Sequence, residues 1–173
     1  MSPTADAGLE QRGTRVDLSS LEPGVLLRLT HVQTPIAVLR LTPEQISTAQ
    51  ITSHEDLLDP FAQNSLMMPD APASFENHTI DADGTFVVLN TLCDGFGYVA
   101  LDWESSDGSF WFCPRGAERF DVLGRLTSYG GSRTTNLQIP PYVFSAENEL
   151  VILDQWLTVS DTDLDRLLYG AAD

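Results

Sequence analysis

Two cysteines, Cys93 and Cys113, have the widest chemical range of any side chains in this 173-residue chain, and they stand twenty positions apart. A thiolate can ligate a metal, attack as a nucleophile or join a second thiol. Cys93 lies in LCDGFGYVAL and Cys113 in FWFCPRGAERFD, two turns between short apolar runs. The pair therefore sits at the ends of neighbouring strands, where the turns could face each other. Neither cysteine has a second cysteine or a histidine two to five residues away, so zinc-site spacing is absent, and two cysteines make no disulfide framework. His31, His54 and His78 lie in strand or loop contexts with no linked nucleophile, which leaves catalytic Ser/His/Asp and Cys/His arrangements unsupported. Gly95/Gly97 and Gly130/Gly131 are turn glycines without the strand-to-helix setting of a phosphate loop.

The elements that must position these turns are mostly strands. VDLSSLEPGVLLRLT and PIAVLRL, separated by the short polar HVQT, read as an antiparallel hairpin. Thr42-Pro43-Glu44-Gln45 offers an N-cap, a proline at the first helical position and a capping-box glutamine, which predicts a short helix to about Gln50. From His54 to Asn77 three prolines interrupt any period, and a long surface excursion with at most a helical turn is expected. After the turn signal DADG come TFVVLN, YVALDW, SFWFC, ERFDV, GRLTS, YVFS and ELVILDQWLTV, short apolar runs separated by glycine turns. Such spacing predicts a mainly β fold, a small antiparallel sandwich or barrel. SDTDLDRLLYG is expected to close the chain as a helix.

Composition narrows the function classes. Apolar residues make up 42% of the chain and charged ones 20%, as in a globular protein. No run approaches the ~18 apolar residues of a membrane span. The net charge is −16, with nine basic residues, all arginine; this field disfavours nucleic acid and anionic surfaces. MSPTADAGLEQRGTR carries no signal pattern and no twin arginine, and a cytoplasmic setting is expected.

The order of these segments resembles a known family, the soluble domain of the Rieske iron–sulfur subunit of cytochrome bc1 (ubiquinol–cytochrome c reductase). Its two boxes read CTHLGC and CPCHGS, and a closing stretch ends in LPxPPY. The resemblance runs from about Val16 to Leu153 through VDLSSLEPGVLLRLT, TPEQI, APASFENHTI, TFVVLNTLC, FDVLGR and NLQIPPYVF…ELVIL. It implies a Rieske-like antiparallel β domain over residues 16–158, with a cluster-binding-type subdomain at 85–132. One short helix follows the second strand, an arm covers residues 1–15, and a C-terminal helix or tail covers 159–173.

The boxes depart from the family pattern. A Rieske [2Fe–2S] centre holds one iron through two cysteines and the other through two histidines. Matched position by position, Cys93 and Cys113 stand at the cysteine ligands, and Gly95 and Gly116 at the histidine ligands. Tyr98 and Arg115 stand where the family has its supporting disulfide, and Glu118 replaces the serine of box two. The family's exposed histidine ligand takes the proton from quinol, which a glycine cannot do.

These losses carry the expectations of a chain without a cofactor, without quinol chemistry, and with a protein partner, such as a respiratory or other redox complex. The recognition tip would be Phe96, Tyr98, Arg115, Phe120 and Tyr129. An electron-transfer centre on Cys93, Cys113 and oxygen ligands from Asp94 or Glu118, with His78 as a further candidate, is the alternative, with [2Fe–2S] as its cofactor. Family geometry would also bring Cys93 and Cys113 close enough for a disulfide, and Arg115 could lower a thiol pKa to give a thiol switch. In a reducing cytoplasm the expectation is instead two small, partly buried, unlinked side chains, with Arg115 paired to Asp94 or Glu118 in the vacated volume.

Overall fold

A computed structural model of the chain describes residues 13–79, 83–93, 99–102, 105–106, 108–131 and 133–154. The recognition-tip residues Phe96 and Tyr98, together with Asp94, Gly95 and the expected C-terminal helix, lie outside the described residues. The fold is mainly β and antiparallel, as the spacing of short apolar runs predicts.

The chain divides into two compact units, residues 1–21 with 140–173, and residues 22–139. In the first, β1 (Gly13–Asp17), β9 (Tyr142–Ala146) and β10 (Glu149–Leu153) form a sheet in the order β1-β10-β9. Val143, Val151 and Leu153 make its core cluster. Residues 13–15, expected in a polar arm, belong to β1 because they pair with Leu153, Ile152 and Val151.

The second unit holds both cysteines. Strands β2 (Leu26–His31), β3 (Thr34–Arg40) and β4 (Phe86–Asn90) form one sheet. The β2–β3 hairpin turns on Val32 and Gln33, both at positive φ, tighter than the four-residue HVQT connection. Strand β4 is buried along Phe86–Leu89, which accounts for its unbroken apolar run TFVVL. A second sheet, in sequential order, holds β5 (Leu101–Asp102), β6 (Trp111–Phe112), β7 (Arg119–Phe120) and β8 (Leu126–Ser128). Arg28 on β2 ties the two sheets: its guanidinium donates to Ala100 O at 3.2 Å and Asp102 Oδ1 at 2.9 Å, and lies over the Trp111 ring.

Helix α1 (Pro43–Ile51) starts on the expected capping box: Gln45 N donates to Thr42 Oγ1 at 3.2 Å, and Thr42 N to Gln45 Oε1 at 2.9 Å. The segment 54–77 is more than a surface excursion. Asp59, Ala62, Asn64 and Ala73 are buried within it, and it ends in a four-residue helix, α2 (Phe75–His78). Irregular backbone at that depth must find partners. Asn136 supplies two of them, donating from its side-chain nitrogen to Asp59 O at 3.0 Å and Phe61 O at 2.9 Å.

The turn Asp121–Arg125 locks these pieces together. Arg125, fully buried, donates from Nε to Asp121 Oδ2 at 2.7 Å and from its terminal nitrogens to Ala49 O and Ala73 O. It thereby satisfies carbonyls at the end of α1 and before α2 that no helix bond reaches. Burial pushes the Asp121 carboxyl up, and the attraction of Arg125 pulls it back.

His78 packs beneath the same turn, with Nδ1 3.0 Å from Leu123 O and Nε2 buried without a hydrogen-bond partner. Burial, followed by the nearby Arg125 charge, depresses its pKa from 6.5 to about 4, while the Leu123 bond opposes the shift. Between those values the unfolded chain binds a proton that the folded chain refuses. This contribution to stability is therefore full above pH 6.5 and is lost as pH falls toward 4. Urea titrations between pH 7 and 4.5 should show a loss of up to about 3 kcal/mol from this group, and His78→Gln should lack that part of the slope.

Candidate functional site

Cys93 follows the end of β4, and Cys113 follows β6. The structure joins them in a disulfide, with Cα atoms 5.8 Å apart. The expectation of two unlinked thiols is corrected: β6 brings Cys113 opposite the start of box one, within ordinary bridging distance. Cys113 is fully buried and Cys93 is 6% exposed.

Box two turns back at once. Cys113 N donates to Glu118 O at 3.0 Å and Ala117 N to Cys113 O at 2.9 Å, with Ala117 at positive φ. The turn aims the Glu118 side chain inward, where it is buried and Oε1 accepts from Gly131 N at 3.0 Å. A Cβ added at Gly116 would fall inside this carboxylate. One added at Gly131 would lie 2.9 Å from Oε1, and one at Gly130 would overlap the Gly116 carbonyl. Position 116, where the family pattern calls for a histidine, is thus closed by the neighbouring acid. Three glycines let the two loops meet over it.

A buried carboxylate needs a compensating cation, and Arg133 provides it. Burial draws the Arg133 guanidinium below its ordinary pKa, and the charges of Glu118 and Asp59 hold it up. From there it donates to Leu92 O at 3.0 Å, Cys93 O at 3.1 Å and Asn136 O at 2.8 Å, with its guanidinium over the Phe120 ring. Arg133 therefore connects box one, box two and the 133–136 loop.

Sequence reasoning assigned that place to Arg115, which is exposed. It missed Arg133, whose one signal was a cation in YGGSRTTN, a segment read only for its glycines and Tyr129. Asp59 and Asn136 were missed too, being polar residues in segments without a period. Of the expected tip, Arg115 and Tyr129 are exposed, Tyr129 by 55%. Phe120 is fully buried and is no surface residue: β7 turns it into the core.

A mainly β, antiparallel scaffold that brings Cys93 and Cys113 together agrees with the Rieske-like fold implied by the order of its segments. An iron–sulfur subunit of ubiquinol–cytochrome c reductase from Cereibacter sphaeroides is 32% identical over 150 residues, 87% of this chain and 79% of that protein. The corresponding subunit of Rhodobacter capsulatus is 31% identical over 140 residues, 78% and 72% of the two chains. The chain belongs to the family of Rieske iron–sulfur subunits of ubiquinol–cytochrome c reductase. A mitochondrial Rieske subunit of the tobacco cytochrome b-c1 complex is 30% identical over 88% of this chain, which spans half of that relative. A hyperthermophilic respiratory Complex III chain aligns over 86% of this chain and 80% of its own length, at 19% identity and a TM-score of 0.45. No protein-family model matches the chain.

These relatives overturn the expectation of a chain without a cofactor, because a [2Fe–2S] cluster is the group their family implies. The described donors do not fit the family's ligation of that group. The two sulfurs are bonded to each other, position 116 bears no imidazole, and the Glu118 carboxylate takes its place. Among the described residues no three His, Cys, Asp or Glu side chains gather to hold a metal. The alternative ligands are likewise not assembled: Glu118 is engaged with Gly131, His78 with Leu123, and Asp94 lies outside the described residues.

Two measurements check this geometry. Gly116→Ala should destabilise the fold by about 1–3 kcal/mol through overpacking, and most of that loss should vanish in the Glu118→Ala background, a coupling read from a double-mutant cycle. Cys93→Ser with Cys113→Ser, which opens a cross-link of sequence separation 20, should lower unfolding free energy by about 3 kcal/mol in chemical denaturation.

Proposed function

We propose that this chain is an accessory, protein-binding member of the Rieske family that docks on a cytochrome bc1-type or related redox complex without performing quinol oxidation itself. The observation that carries the reading is the closure of position 116, where an acid held by Gly131 N–H fills the space that any side chain at that position would need. Imidazole accepts a proton at neutral pH and glycine does not.

The surface around the closed site suits recognition. Pro114, Arg115 and Ala117 are exposed on one loop, and Tyr129, Gly130 and Gly131 on the other. Tyr129 donates its hydroxyl to Leu58 O at 3.4 Å and so extends this rim toward exposed Leu58. Tyrosine and arginine are the residue types that most often anchor interfaces. Names of relatives in the cytochrome b-c1 complex support a partner of that kind.

The test is binding of the purified chain to the detergent-solubilised bc1 complex of its own organism, measured by calorimetry or co-sedimentation. Tyr129→Ala combined with Arg115→Glu should weaken binding about tenfold or more, as loss of an interface anchor does. Absence of binding by the unaltered chain would refute the reading. Equal binding by the double variant would move the contact away from this rim. Quinol-dependent cytochrome reduction restored by the chain to a subunit-depleted complex would refute the non-catalytic role.

A further inference from the structure

We propose that Cys93 and Cys113 form a reversible dithiol–disulfide couple, a thiol–disulfide exchange site whose substrate class is a small thiol or dithiol reductant. The inference holds whether or not the docking reading does.

Each half of the cross-link is held by something other than the cross-link. Cys113 is fixed through its own backbone, N to Glu118 O at 3.0 Å and O from Ala117 N at 2.9 Å, and Glu118 is anchored to Gly131. Cys93 is fixed by Arg133, which donates to the carbonyls of Cys93 at 3.1 Å and Leu92 at 3.0 Å, while Leu92 also bridges Val99. Opening the S–S bond frees neither backbone. The thiols stay on Cα atoms 5.8 Å apart, so closing again is an intramolecular step between placed groups.

Burial sets the direction of attack. Cys93 is 6% exposed and Cys113 is fully buried, so a reductant thiolate reaches Cys93 Sγ first. A sulfur–sulfur bond to the reductant forms, and the Cys113 thiolate leaves and takes a proton. A second reductant thiolate then attacks the reductant sulfur of the mixed disulfide, releasing Cys93, which also takes a proton. Overall the chain gains two electrons and two protons, and the reductant departs as its disulfide. In an oxidising compartment the closed form is favoured, and at the poise of a cytoplasm the open form.

The experiment equilibrates the whole chain anaerobically in glutathione buffers from both the oxidised and the reduced side. Samples are acid-quenched, alkylated and weighed. The two approaches should meet on one curve between no free thiols and two, with far-UV circular dichroism unchanged. Arg133→Met should shift that curve so that the effective concentration of the pair falls about tenfold, the worth of a hydrogen bond to a charged donor. Arg133→Lys should recover part of it. Thiols that appear only in denaturant, curves that fail to meet, a mixed disulfide that persists, or a folded Arg133→Met with an unshifted curve would each overturn the proposal. Should Arg133→Met not fold, agreement or disagreement of the two wild-type curves decides.

Discussion

The buried carboxylate of Glu118 is the constraint around which the rest of this site is arranged. Out of water it requires a donor and a cation, and it finds them in Gly131 N–H and in the charge of Arg133. To admit it, positions 116 and 131 carry no side chains, while Gly130 lets its loop approach the backbone of Gly116 to Glu118. To neutralise it, Arg133 sits inside the protein, where its remaining N–H groups need acceptors. The carbonyls of Leu92, Cys93 and Asn136 are those acceptors. Through them the acid on box two is linked to the backbone where box one begins, at Leu92 and Cys93.

The disulfide follows from that placement. A family whose relatives are named iron–sulfur subunits joins its two boxes through a metal centre. In this chain sulfur joins sulfur directly, across the same two turns. The supporting scaffold is built from the Asp121–Arg125 turn, the capped helix α1 and the two sheets. Arg125 ties that turn to the end of α1 and the approach to α2.

Much of this fold was legible in the sequence, because strands and caps are written locally. TFVVLN is apolar on both faces because β4 is buried on both, and Thr42 to Gln45 spell a capping box that forms as read. The matched boxes also placed Gly116 at a lost histidine. What was not legible is long-range polar pairing. Arg115 and Arg133 are equal candidates on paper for the cation beside Glu118, and only the loop path separates an exposed arginine from a buried one. Phe120 was assigned to the surface because it lies near the box, yet strand alternation in β7 turns it inward. The burial of Asp59, in a segment broken by prolines, and of Asn136, in a polar loop, could not be read locally, since each is the other's partner about 77 residues away.

The measurement that bears most directly on this account is the state of the two sulfurs in the isolated protein. Chain purified in air, digested without reduction and analysed by mass spectrometry, should yield one peptide pair linked through Cys93 and Cys113, two hydrogens lighter than the sum of its thiol forms. Two alkylatable thiols in the folded protein purified in air would contradict it.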